Sequence, residues 1–405
     1  MKNIMTIIIG LLMVTAIQSQ TLEFYILEAE NNNPEVQAFE LRYNISKEKV
    51  EESDAFPRTE LRAGVFVSEP ETRTGAQKAL FSVKQMLPWF GTITLRENYA
   101  SSLAEVDYLD IVITKRKLRL SVSQSYYELY AIKEKELVLE ENIRLLKTYE
   151  KLALTSVEVG NASAVDVLRL QIRQNELNEA KLVLGREYRA VQTKFNNLLN
   201  RDEYTSIAVV DDLAIYEPIE IGLNQLELHP ELEKYDRLYE SVAQSEVLNQ
   251  KEGNPNIGFG LDYIPVAKRP GPDFSDNGKD ILMPMVSLSI PIFNNNYKSI
   301  TVQNELRQEE INSQKANRRN LLESILSDAL NKREASYIKH KTQLRNLEQA
   351  KDAEEILIKN YETGTIDFND VLDIQELQLR FQINLIEAVK DNYVQTAIIN
   401  YLTNQ

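Results

Sequence analysis

The chain has 405 residues, 61 acidic against 46 basic side chains for a formal net charge of -15, no cysteine, and two histidines, His229 and His340. Disulfides, thiolate metal sites and cysteine nucleophiles are therefore excluded, and two imidazoles so far apart argue against a histidine-built metal site. The surplus of carboxylates argues against a nucleic-acid partner, which needs Lys and Arg to displace phosphate counterions.

The pattern begins with Lys2, an apolar run from Ile4 to Ala16, and a polar end at Gln18, Ser19 and Gln20. This predicts a secretory signal peptide over residues 1–19. The run falls short of the roughly 17 to 25 residues of a spanning helix, and no later segment is continuously apolar over that length. Insertion of the mature chain into a membrane is accordingly expected through strands.

No proline occurs from Trp89 to Glu217 or from Ile292 to Gln405. Because proline breaks helices, both tracts read as long helices, each hinged near one glycine, Gly160 in the first and Gly364 in the second. A shift of 204 positions superposes the tracts without a gap: Glu158 on Glu362, Gly160 on Gly364, Asp166 on Asp370, Gln171 on Gln375, Gln174 on Gln378. Asn33-Pro34-Glu35 is echoed by His229-Pro230-Glu231, and Leu87-Pro88-Trp89-Phe90 by Ile290-Pro291-Ile292-Phe293. The chain reads as a tandem duplication, with units over 20–200 and 222–405 joined by an equatorial linker over 201–221.

Apolar residues of the first tract follow a 3.5-residue stripe: Ile111, Leu118, Val122, Leu129, Ile132, Leu139, Ile143, Leu146, Ala153 and Val157. Past Gly160 it resumes with Val167, Leu170, Leu177, Leu184, Tyr188, Val191, Phe195 and Leu198. So narrow a stripe suits a coiled coil better than a globular core.

Two strand pairs are expected where proline and glycine concentrate. Leu61, Ala63, Val65 and Val67 alternate with Arg62, Gly64, Phe66 and Ser68, and a second strand runs from about Lys78 to Trp89. In the other half Ile257, Phe259, Leu261 and Tyr263 alternate with Gly258, Gly260 and Asp262, and Leu282, Val286, Leu288 and Ile290 form the returning face. Four strands are too few to close a spanning barrel, which needs about eight, so closure requires several subunits. Soluble hairpins on a helical core are the alternative reading of the same alternation.

These motifs, in this order and duplicated, resemble the TolC-type outer membrane efflux protein family over essentially the whole mature chain. Its most telling marks are Val159-Gly160 with Asp166-Val167-Leu168, and Tyr361-Glu362-Thr363-Gly364-Thr365 with Asp370-Val371-Leu372-Asp373. The resemblance implies a mostly α fold with a small β part. It implies a homotrimer whose long helical hairpins form a periplasmic α-barrel, and whose four strands per chain complete a 12-stranded β-barrel in outer membrane lipid. Such a protein is a passive exit duct of a tripartite efflux pump or type I secretion system, partnered by a periplasmic adaptor and an inner membrane transporter.

Carried over residue by residue, the resemblance makes Val159, Gly160, Thr363 and Gly364 the adaptor-docking turns. Asp370 and Asp373 ring the pore constriction, Asp166 and Tyr361 belong to an interhelical lock, and Asp367 adds an acid to the same turn. The family's lock arginine is replaced by Ile366 and its threonine partner by Val165, so apolar contacts are expected to hold the closed state. Position alone gives these residues plainer roles: a turn glycine at Gly160 and a helix-capping acid at Asp370. No catalytic constellation, nucleotide motif, cofactor site or metal-binding cluster is found, and the methionines and histidines suggest no metal relay. A soluble periplasmic coiled-coil scaffold is the competing reading.

Overall fold

The computed structural model describes residues 22–160, 163–218, 226, 229–271, 275–292, 295–363, 365–366 and 368–403. The signal-peptide segment, Gly364 and Asp367 lie outside the described residues.

In chain order the elements are α1 (Leu22–Asn32), α2 (Pro34–Ser53), β1 (Glu60–Val65), β2 (Glu71–Thr72), β3 (Gly75–Ala76), β4 (Ala79–Leu87), α3 (Thr92–Glu158) and α4 (Ala164–Leu198). They continue with α5 (Pro230–Glu252), β5 (Asn256–Ile264), β6 (Ile281–Ser289), α6 (Asn296–Glu362) and α7 (Phe368–Thr403). Helices α3 and α6 each have 67 residues, about 100 Å of helix, and both of their ends are displaced by the same 204 positions that superpose the sequences. Helix α2 begins at Pro34 and α5 at Pro230, where proline's missing N–H costs nothing.

The chain divides into two compact units, one of Met1–Ala38, Ile111–His229 and Arg318–Gln405, the other of Phe39–Asp110 and Pro230–Asn317. Each compact unit draws on both halves of the sequence.

In the first unit the expected stripe is the core. Leu118, Val122, Leu129 and Ile132 of α3 pack with Tyr25, Ile26 and Ala29 of α1 and with Val191 and Phe195 of α4. The Tyr25 and Phe195 rings meet edge to face at 5.1 Å. An extended segment after α4 is strapped over this cluster: Ala208 N donates to Tyr25 Oη (2.9 Å), Val210 N to Tyr126 Oη (3.0 Å), and Tyr393 Oη donates to the Ala214 carbonyl (2.8 Å). A second cluster joins Leu139, Ile143, Leu146, Tyr149 and Ala153 of α3, Val167, Leu170 and Leu177 of α4, Tyr361 of α6, and Phe368, Val371 and Leu379 of α7.

In the second unit the two expected strand pairs are one antiparallel sheet of order β1-β4-β5-β6. The β4–β5 ladder pairs the two halves of the sequence, with Val83 opposite Leu261 and Leu87 opposite Ile257. Strand β1 ends at Val65, short of the expected Ser68, and the loop that follows contains the short β2–β3 ladder. The register places Leu61, Ala63, Val65, Phe81, Val83, Ile257, Phe259, Leu261, Tyr263, Leu282, Pro284, Val286 and Leu288 on one face. That face meets no core: Leu61 is 75%, Val65 80% and Val286 75% exposed. The opposite face carries Arg62, Ser82, Lys84, Met86, Gly258, Gly260, Asp262, Met283, Met285 and Ser287.

Candidate functional site

The two interhelical turns of the first unit and the helix starts that follow them hold every described residue expected to act at a gate or a docking tip. Helix α3 ends in Val159 N to Thr155 O and Gly160 N to Val157 O bonds (3.3 and 3.0 Å). Gly160 has φ +80°, the left-handed conformation glycine adopts without strain, and a Cβ there would meet nothing within 4 Å. Val159 and Gly160 are both exposed. Helix α4 then starts with a capping box: Ser163 is the N-cap, its hydroxyl accepts from Val165 N (3.2 Å), and Asp166 Oδ2 accepts from Ser163 N (3.3 Å). Asp166 is buried, and its carboxylate is engaged by the start of its own helix.

The second turn is closed by hydroxyls. The Asn360 carbonyl accepts from Thr363 Oγ1 (2.9 Å), Thr365 Oγ1 (2.7 Å) and Thr365 N (3.0 Å). Thr363 is exposed, whereas Ile366 is half-buried and packs on the second core cluster. Tyr361 is buried, with its ring 4.8 Å from that of Phe368, and its hydroxyl has no hydrogen-bond partner. Asp166 and Tyr361 are thus not joined by a hydrogen bond. Asp370 and Asp373 are exposed, three residues apart on the first turns of α7, and so share one side of that helix.

Sequence reasoning missed the polar junction behind these turns. Glu354 of α6 accepts from Tyr149 Oη of α3 (2.6 Å) and Gln378 Nε2 of α7 (2.8 Å), and Gln378 also donates to the Ala350 carbonyl (3.1 Å). Gln375 Nε2 donates to Asn142 Oδ1 (2.7 Å), and Asn142 Nδ2 donates to Gln382 Oε1 (3.0 Å). Asn142, Tyr149, Gln375 and Gln378 are all buried. Burial, reinforced by the bond to Glu354, raises the Tyr149 phenol well above its ordinary range, so it stays a donor. The first hairpin has a simpler counterpart: Glu150 accepts from Gln171 (2.8 Å) and Gln174 (2.9 Å), which hold its carboxyl below the usual range. The signal was present in the repeat itself, since Glu150, Gln171 and Gln174 superpose on Glu354, Gln375 and Gln378.

Among the described residues no helix is long and apolar enough to cross a membrane, and no group of three His, Cys, Asp or Glu could hold a metal ion.

The sequence matches no protein-family model and no curated protein. Its fold, however, is that of solved outer membrane channels. Over 95% of this chain and 92% of the other it is similar to CusC, whose structures describe transmembrane channel formation, at a TM-score of 0.77 and 14% identity. The outer membrane protein VceC of Vibrio cholerae aligns over 94% of this chain and 95% of its own, at a TM-score of 0.74 and 14% identity. The Neisseria gonorrhoeae MtrE outer membrane channel, in its open state, aligns over 94% of this chain and 88% of its own at a TM-score of 0.74 and 13% identity. At the level of the fold, the resemblance to TolC-type channels is borne out.

Proposed function

We propose that the chain is an outer membrane exit duct, a passive conduit of a tripartite efflux pump or type I secretion system. The observation that carries this reading is the sheet: one face is apolar across all four strands apart from Gln85 and is largely exposed, while the other holds the charged residues and the glycines of the strands among methionines and a few aliphatic side chains. An exposed apolar face of that extent is stable against lipid and unstable in water. Strands β1 and β6 also each have an unpaired edge, which hydrocarbon cannot satisfy. Three copies pairing β1 of one with β6 of the next close a 12-stranded barrel. The helices, in two tandem units over 20–200 and 222–405 with a linker over 201–221, extend into the periplasm. Exposed Leu168, Ile172, Leu182, Ile338 and Ile356 on α4 and α6 give the helices apolar surface for the same three-fold contact.

In this reading the turns at Val159, Gly160, Thr363 and Gly364 meet the periplasmic adaptor, which couples the duct to an inner membrane transporter. Asp370, Asp373 and Asp367 supply acid to the constriction, where three-fold symmetry brings their carboxylates around one axis. Asp166 and Tyr361 support the gate as a helix cap and a packed ring, and the junction at Glu354 holds it closed. The fold shared with outer membrane channels supports this assignment over a soluble scaffold.

Fractionation tests it: the processed protein should sediment with the outer membrane, need detergent for extraction, run as a trimer, and give single-channel currents in planar bilayers. A monodisperse monomer in water without detergent would refute it.

A further inference from the structure

The strand register gathers residues that the sequence separates by some 200 positions. Six methionines occur in the chain, three of them before residue 20. The other three, Met86 on β4 and Met283 and Met285 on β6, all stand on the polar face of the sheet. Three successive rows cross that face: Met86, Gly258 and Ser287; Lys84, Gly260 and Met285; Ser82, Asp262 and Met283. Side chains directly opposite in such a ladder have Cβ atoms about 5 Å apart, and diagonal neighbours about 7 to 8 Å. Asp262, Met283 and Met285 are therefore mutual neighbours on one face. Pro284 between the methionines faces the other side, tolerated because β6 is an edge strand.

The glycines leave room for this. Met86 Sδ lies 2.4 Å from where a Cβ on Gly258 would stand, and 3.6 Å from Ser287 Oγ. Met285 Cε lies 3.4 Å from the corresponding position on Gly260. Any larger residue at 258 would displace the Met86 thioether.

Asp262 supplies an independent sign of a ligand. It is only 7% exposed, and its Oδ1 has no hydrogen-bond partner. A buried carboxylate oxygen left in that state calls for a partner from outside the chain, an ordered water or a cation. Among the described residues no basic side chain pairs with it: Lys84, one row away, leans over Gly258 with its Cε 3.4 Å from the Cβ position there, and Arg62, further along the row, pairs with Glu60 at 3.0 Å.

We propose that Met283, Met285 and Asp262 form a binding site for a soft monovalent metal cation, Cu(I) or Ag(I), carried as cargo. Two thioethers select a soft ion over Ca²⁺ or Mg²⁺, which require several oxygens, and one carboxylate balances the single positive charge. Thioethers bind no protons, so acid does not compete for them as it does for His or Cys ligands. Met86 places another thioether on the same face, two register steps from Asp262. Binding follows from the sheet itself, whereas its place on a transport path rests on the duct reading, in which this face lines the barrel.

The test uses Ag(I) alone on the processed full-length protein in detergent, with retained silver counted after dialysis and its neighbours identified by X-ray absorption. The wild type should retain about one silver per chain with sulphur neighbours. The double substitution Met283→Leu, Met285→Leu should lose it, and Asp262→Asn should weaken it about tenfold or more. Leu closely matches Met in volume, so the trimer should persist in the double variant. No retention by the wild type, or equal retention by the double variant, overturns the site. Single-channel currents recorded without silver separate the two readings: a conducting protein that retains no silver sinks only the site, and a silver-binding protein that does not conduct sinks only the duct.

Discussion

The two helical hairpins carry the same clamp in different settings. In the first, Glu150 receives Gln171 and Gln174 and ties α3 to α4 near the surface. In the second, Glu354 receives Gln378 and exchanges the second glutamine for Tyr149, while Gln375 turns to Asn142. The residue at the Tyr149 position of the second half is Ala353. One tyrosine present in only one half thus converts a bond within a hairpin into a junction among α3, α6 and α7. Duplication supplied the carboxylate and the amides, and divergence at their neighbours decided what they join.

The sharpest way to break this comparison is to remove each carboxylate in turn. Glu354→Ala leaves the buried Tyr149 hydroxyl without an acceptor and Gln378 with only the Ala350 carbonyl, and should destabilise by about 2 to 4 kcal/mol, whereas Glu150→Ala should cost roughly 1 kcal/mol or less. Thermal melting of the trimer in detergent measures the difference. Single-channel conductance should rise for Glu354→Ala alone, and equal effects of the two substitutions would abolish the distinction drawn between the hairpins.

The turns give the next contrast. Gly160→Leu forces a side chain into the left-handed region at a cost of about 1 to 2 kcal/mol. Combined with Gly364→Leu it should abolish export while trimer and membrane insertion persist, which export assays and native electrophoresis will show; unimpaired export would count against docking there. Ser163→Ala removes one arm of the capping box and should lower stability by about 1 kcal/mol, with the melting midpoint as the readout.

Asp166 and Asp370 superpose in the repeat, yet one is a buried cap and the other is exposed. Replacing Asp370 and Asp373 by Ala should therefore change melting little but reduce cation selectivity in single-channel recordings. A large loss of stability with unchanged selectivity would return both acids to helix capping.

The smallest effect concerns pH. The Gln171 and Gln174 bonds depress the folded pKa of Glu150, so its contribution is complete above the unfolded carboxylate value of about 4.5 and is lost as pH falls through the folded one. Glu150→Gln should flatten melting midpoints slightly across that acid range; a profile identical to wild type would show that the first clamp adds nothing.

The sequence by itself determined the periodic features. Proline-free tracts, the 204-residue shift and the narrow stripe from Ile111 to Ala153 located the long helices, because helix and coiled-coil periods are local and proline interrupts them. Alternation located the four strands for the same reason. Pairing of the two halves through β4 and β5 and the Tyr149–Glu354 bond depend on residues about 170 to 205 positions apart, and the methionine face around Asp262 depends on the register of the β5–β6 hairpin. Alternation assigns a residue to a face but does not identify its neighbour, and a glutamine in a helical repeat reads as solvated until packing removes the water. Only the tertiary structure decided those partners, because register and burial are properties of chain segments brought together in space.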